Sequence, residues 1–219
     1  MDAAAAAAAE WAGCGGQWRE RVCVVDNLTV GAAAVARWLC RDCRRAAREV
    51  PSLRGGEAPQ AVLLSSFTYN AVRNAFEDAA EQLAESGVSL QVRSVTLPFP
   101  VTGGPRDVVE AYEAQLAELE SELGPGALRL AVVDHVSSNP AMLMPVAEVS
   151  AACRRAGFRR VCVDGAHAPG NVVGGLDVPA LGADFYLANL HKWCMAPTAA
   201  ALLYCGAAEL MAELRHPVP

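Results

Sequence analysis

The sequence predicts an α/β fold in which a mainly parallel, seven-stranded sheet is covered by helices on both faces. Three observations carry this. Short apolar runs alternate with helical stretches along the whole chain. Alternation of that kind argues for parallel strands joined by crossover helices. Five polar clusters also fall where strands end, and in open α/β sheets ligands sit beyond the carboxyl ends of the strands.

The elements follow in order. Met1-Asp2, seven alanines, Glu10 and Trp11 read as a helix of high propensity. Arg21–Val25 is a strand that turns at Asp26-Asn27 into a helix from Thr29 to about Glu49. Pro51 to Pro59 carries Gly and Pro and reads as a loop. Ala61–Ser65 is a strand, Tyr69–Ser86 a helix and Ser89–Leu97 an alternating, β-like segment, followed by a loop from Pro98 to Pro105. Asp107–Leu123 is amphipathic, with Val108, Val109, Tyr112, Leu116, Leu119 and Leu123 on one face. Gly124-Pro125-Gly126 stops it.

Leu128–Val133 is the next strand, and Pro145 opens a helix to about Ala156 at its first turn. Arg160–Val163, Asp184–Ala188 and Ala199–Tyr204 complete the strands, and Ala207–Arg215 closes the chain as a helix.

The 219 residues, 53% hydrophobic, suffice for one sizeable core, or for one large domain without its companion. A net charge of −6 with no basic patch argues against nucleic acid as a partner. Arg41, Arg44, Arg45 and Arg48 cluster at helical spacing and read as a solvated face. No apolar run is long enough to span a bilayer, so no membrane role is expected. The start lacks the charged region of a signal peptide and the arginines of a transit peptide. Of the eight cysteines, Cys23, Cys162 and Cys205 lie inside apolar strands, which suits a reducing compartment. The expectation is cytoplasmic, with an organelle left open. Cys40-x-x-Cys43 stands without a second pair, and no metal is expected.

The chemistry concentrates in two strand ends. Asp184-Phe185-Tyr186-Leu187-Ala188 runs into Asn189-Leu190-His191-Lys192-Trp193, and Val161-Cys162-Val163 runs into Asp164-Gly165-Ala166-His167. An acid and a lysine on neighbouring strand ends are what pyridoxal phosphate needs: an amine for the Schiff base and a carboxylate for the ring nitrogen. Apolar flanks would partly desolvate Lys192 and lower its pKa. The bland alternative is a surface lysine in a turn.

Asp164 reads equally as a helix cap, and His167 as a satisfied core histidine. Gly165 would let backbone approach a ligand. Asn27 and Thr29 open a helix whose free N–H groups suit phosphate, or simply cap it. Ser137 and Ser138 are ligand-facing or turn residues, and Phe67 stacks on a flat ring or belongs to the core. A Ser137–His167–Asp134 triad is imaginable, but no Gly-x-Ser-x-Gly elbow supports it.

The order Asp26-Asn27-x-Thr29, Tyr69-x-Ala71-Val72, Asp134-His135-Val136-Ser137-Ser138, Asp164-Gly165-Ala166-His167-Ala168-Pro169-Gly170 and Asn189-x-His191-Lys192-Trp193 with Ala196-Pro197 resembles the class V aminotransferase superfamily. Within it the sequence is similar to the isopenicillin N epimerase-like branch, which includes plant-type L-cysteine desulfhydrases. The likeness covers about residues 10–219. It implies the large domain of a fold-type I enzyme with pyridoxal 5'-phosphate at the strand ends.

By motif position, Lys192 is then the Schiff-base lysine and general base, and Asp164 the partner of the pyridinium nitrogen. His167 lies near the ring's phenolic oxygen with Ser138. Thr29, the backbone around Asn27 and His191 hold the phosphate, and Phe67 lies on the ring. The implied reaction is cysteine desulfhydrase-type elimination on a small amino-acid substrate. Epimerisation, transamination and desulfuration would use the same residues. A homodimer is implied too.

Thr198-Ala199 and Asn70 depart from the family pattern. The family's segment before residue 1, and its small C-terminal domain with a carboxylate-gripping arginine, have no counterpart here. The expectation is therefore an incomplete large domain over 1–219, with a non-catalytic cofactor-binding chain as the alternative.

Overall fold

The computed structural model describes residues 2–54 and 58–214. The strands are β1 (Val22–Val25), β2 (Gln60–Ser65), β3 (Leu90–Val95), β4 (Leu128–Asp134), β5 (Val136–Ser137), β6 (Met142–Leu143), β7 (Arg160–Asp164), β8 (Phe185–Asn189) and β9 (Ala201–Cys205). The helices are α1 (Asp2–Trp11), α2 (Leu28–Glu49), α3 (Asn70–Glu85), α4 (Pro105–Glu122), α5 (Val146–Arg155) and α6 (Ala208–Glu213). Seven strands form one sheet in the order β1-β9-β8-β7-β4-β2-β3. Pairing is parallel from β3 through β8, while β9 runs antiparallel to both β8 and β1.

The sheet is covered on both faces because its strands are apolar on both. Leu63, Val133, Val163, Ala188 and Leu202 face α1, α4 and α5. Their chain neighbours Leu64, Val132, Cys162, Leu187 and Leu203 face α2, α3 and α6. This is the period-2 alternation of a pleated strand, with both sides buried. Helix α2 lies close on the sheet at Gly31, where a Cβ would sit 2.9 Å from Leu187 Cδ2.

The elements match the sequence expectation with local differences. Val136–Ser137 and Met142–Leu143 pair as a two-stranded antiparallel ribbon where only turn residues were expected. Pro145 precedes α5 as its N-cap rather than occupying its first turn. Pro51–Leu53 is a turn of 3-10 helix inside the expected loop. Helix α6 ends at Glu213, and Arg215 lies outside the described residues.

The arginine cluster on α2 is a correction. Arg41 donates to the Glu213 carbonyl (2.6 Å), Arg44 to Ser86 Oγ (3.2 Å), and Arg45 pairs with Asp42 (2.8 Å). The stripe ties α2 to α3 and α6 instead of standing free in solvent. Arg48 stays exposed, and Asp42, the partner of Arg45, is 2% exposed and also pairs with Arg129 and Arg159. A buried carboxylate needs such cations.

Among the described residues Cys40 and Cys43 are free thiols packed in the core. Cys40 Sγ donates to the Ala79 carbonyl, and burial pushes Cys43 up to about 12. Among the described residues no helix is long and apolar enough to cross a membrane.

Candidate functional site

Because β1, β2, β4, β7 and β8 point the same way, their carboxyl ends meet at one edge of the sheet. A cleft opens there, lined by Thr29, Tyr69, Asp134, Ser138, Asp164, His167, Asn189 and Lys192 among others. Local chemistry fixes each wall. Asn27 Oδ1 accepts from the Val30 N–H at 2.9 Å, and Asn189 Oδ1 accepts from the Leu28 N–H at 2.9 Å. The Gly31 N–H reaches the Asn27 carbonyl. Of the first N–H groups of α2, only that of Thr29 is left without a partner among the described residues. The Thr29 side chain is exposed to the cleft.

Lys192 Nζ lies 2.9 Å from His167 Nε2, and Trp193 Nε1–H donates to His167 Nδ1 at 3.3 Å. A neutral imidazole has one donor and one acceptor. Both contacts are satisfied together only if Nε2 carries the hydrogen and the Lys192 amine supplies a lone pair. Burial lowers the pKa of Lys192, opposed by the charge of Asp164. Burial, and then the charge of Lys192, lower that of His167. Burial and this hydrogen-bond pattern favour the neutral amine, while the charge of Asp164 favours its protonated form. Lys192 is also the only lysine in the chain. That signal was present in the sequence and had not been used.

Asp164 is 4% exposed, and the one hydrogen bond of its carboxyl among the described residues comes from the Ala166 N–H to Oδ1 (2.9 Å). Asp134 is 3% exposed and stands beside it, as the Cα partner in the β4–β7 pairing. Ser65 Oγ and Thr68 Oγ1 donate to Asp134 Oδ2 at 3.1 and 3.3 Å. Burial and then the neighbouring Asp164 charge push Asp134 up to about 7, against the two hydroxyls. Burial pushes Asp164 up to about 6, against the Ala166 amide and Lys192. Asp134 is the site residue that sequence reasoning assigned only to an improbable triad.

The triad itself is excluded by geometry. Ser137 Oγ donates to the Pro140 carbonyl (2.6 Å), His167 is engaged by Lys192 and Trp193, and Asp134 by Ser65 and Thr68.

Gly165 is a second correction. A Cβ there would sit 2.4 Å from Tyr186 Cζ, so the glycine makes room for a core tyrosine rather than for a ligand. Tyr186 in turn bonds His135 Nδ1 at 3.0 Å, and burial holds His135 down at about 4.

Three residues expected at the cofactor make contacts within the chain. Asn27 caps α2, and Phe67 packs edge-on against Phe99 with ring centroids 6.3 Å apart. His191 Nδ1 bonds the Ala200 carbonyl at 3.1 Å. None of the three is among the residues that line the cleft. The aromatic ring that does line it is Tyr69, which is 55% exposed. Ser138 lines it and is exposed.

The donor set fits pyridoxal 5'-phosphate. It offers a half-buried amine, a buried carboxyl lacking a cationic hydrogen-bond partner, and a helix N-terminus with a free N–H and hydroxyl for an anion. A buried acid left so poorly compensated is what a protonated ring nitrogen would complete.

Comparison with known proteins agrees. Residues 106–218 match the family described as aminotransferase class-V. The chain is 37% identical over 198 residues to a protein named putative L-cysteine desulfhydrase 2 of Oryza sativa subsp. japonica, covering 90% of this chain and 38% of that protein. It is 36% identical over 150 residues to an isopenicillin N epimerase of Amycolatopsis lactamdurans, covering 68% of this chain and 33% of the relative. Among solved structures it superposes on the apo cysteine desulfurase of Thermococcus onnurineus NA1 with a TM-score of 0.72 at 18% identity, covering 100% of this chain and 45% of that one. The chain thus spans less than half the length of each of these proteins.

Proposed function

This chain belongs to the aminotransferase class V family, and on that premise we propose that it is the cofactor-binding large domain of a pyridoxal-phosphate-dependent enzyme acting on an amino acid. The observation that carries the reading is the Lys192 amine, 2.9 Å from His167 Nε2 and under the charge of buried Asp164. When bound, the cofactor supplies an electron sink for the α-carbon of an amino acid.

The protein's residues do the rest. Lys192 holds the cofactor through its amine, and its Nζ then takes the α-proton of the substrate. Asp164 keeps the ring nitrogen protonated. The Thr29 N–H and hydroxyl bind the phosphate, with the dipole of α2 behind them. Ser138 and His167 orient the phenolic side.

For cysteine the net reaction takes up one water and yields sulfide, pyruvate and ammonia. The desulfhydrase likeness covers 90% of the chain against 68% for the epimerase likeness, which favours elimination over epimerisation. We place the assembled enzyme as a homodimer in the cytoplasm. The free, buried cysteines support a reducing compartment.

The test is an absorption spectrum with pyridoxal phosphate before and after borohydride, with peptide mapping and Lys192→Ala beside it. The expected result is a visible band trapped on Lys192, absent from Lys192→Ala, followed by sulfide release from cysteine. A folded chain that gives no band, or the same band with Lys192→Ala, overturns the reading. A trapped adduct without sulfide release leaves the cofactor and removes the cysteine reaction.

A further inference from the structure

Asp134 has no part in the chemistry proposed above, yet it lines the cleft and is as deeply buried as Asp164. The two carboxyls are Cα partners at the ends of parallel β4 and β7. The charges around them are few. Among the described residues Lys192 is the one cationic side chain lining the cleft, and no arginine lines it. His135, next to Asp134, and His167, across the cleft, are both kept neutral chiefly by burial. On α4 the Tyr112 hydroxyl is buried beside Ser65, and burial, then the charge of Asp134, disfavours its ionisation. From the end of β2 come only the hydroxyls of Ser65 and Thr68.

Two ionised carboxylates side by side, with one half-buried amine between them and solvent, would leave a buried charge uncompensated. One proton must therefore be shared by the pair near neutral pH. The surroundings choose its place. Asp164 has an amide donor and feels the charge of Lys192, both of which favour its ionised form. Asp134 has its own backbone amide but no contribution from Lys192, and its side-chain partners are two hydroxyls, which can accept as readily as donate and so tolerate a neutral carboxyl.

We propose that Asp134 is a positioning residue that holds the shared proton, so that Asp164 alone carries the negative charge facing the cleft. Its purpose rests on the cofactor reading, because a single pyridinium needs a single counter-charge. The proton itself does not depend on it. No bond other than O–H is made or broken, and the proton exchanges with solvent as pH changes.

The experiment uses the cofactor-free chain, D134N and D164N. Thermal melting is followed from pH 5 to 8, together with the infrared band of a protonated carboxyl. A carboxyl whose folded pKa is raised contributes stability that is fully present below its ordinary value. That stability is lost as pH rises through the folded value, here about 7 for Asp134.

The wild type should lose about 5 °C in melting temperature between pH 6 and 8, and D134N, left with Asp164 alone, only a small part of that. The carboxyl band should survive to a higher pH in D164N than in D134N. The reverse order puts the proton on Asp164 and overturns the proposal, as does an unchanged slope in D134N. If D134N does not fold, D164N decides: a band persisting above pH 5 supports Asp134 as the holder, and its absence there overturns it. Adduct formation on Lys192 is read separately. A chain with the proton but no adduct fails the cofactor reading alone.

Discussion

Buried acids at the two ends of the sheet are treated in opposite ways. At the amino ends of the strands, Asp42 meets Arg45, Arg129 and Arg159. Asp184 meets Arg154 at 2.5 Å, Arg160 at 3.2 Å and the Val161 N–H at 2.7 Å. At the carboxyl ends, Asp134 and Asp164 lie against each other with hydroxyls and one amide for company. The first pair staples helices to strands. The second is left undercompensated, and its protonation shifts into the range where enzymes work. Folding would favour arginines at both ends. Their absence from the cleft marks the end that awaits a cationic partner.

Three substitutions break or sharpen that contrast. The largest effect on stability is expected at the stapled end. Asp42→Ala leaves Arg129 buried and unpaired and should cost roughly 3–5 kcal/mol in urea unfolding. A loss no larger than that of an exposed acid would erase the difference between the ends.

Next comes Gly165→Ala, which drives a methyl into the Tyr186 ring and should cost about 1–3 kcal/mol. An undiminished unfolding midpoint, with cofactor uptake lost instead, would return Gly165 to the role of a ligand-facing residue.

Trp193→Phe should do least. It removes the N–H that holds His167 as the Nε2–H tautomer, so the Lys192 amine should titrate higher, with melting nearly unchanged. The reaction of the sole lysine with an acylating reagent, followed against pH, reads this directly. No movement would mean that burial alone sets the amine.

Most of the architecture was legible in the sequence because its signals are local. Apolar runs, caps and glycine or proline breaks placed all seven strands of the large sheet to within a few residues. Alternation with helices gave the parallel sheet, and with it the edge where Lys192, Asp164, His167, Thr29 and Ser138 gather.

What the sequence could not decide depends on residues far apart along the chain. The reversal of β9 between β1 and β8 is a pairing choice that apolar patterning does not encode. Nor do single residues tell that Asp42 will find Arg129 eighty-seven positions away, or that Gly165 yields space to Tyr186. The contacts of Phe67 with Phe99 and of His191 with the Ala200 carbonyl likewise join residues apart along the chain. Asp134 becomes part of the site only because β4 and β7 pair in a register that sets one aspartate beside another. A sequence names the groups. Register and burial decide which of them share a dielectric, and so which must share a proton.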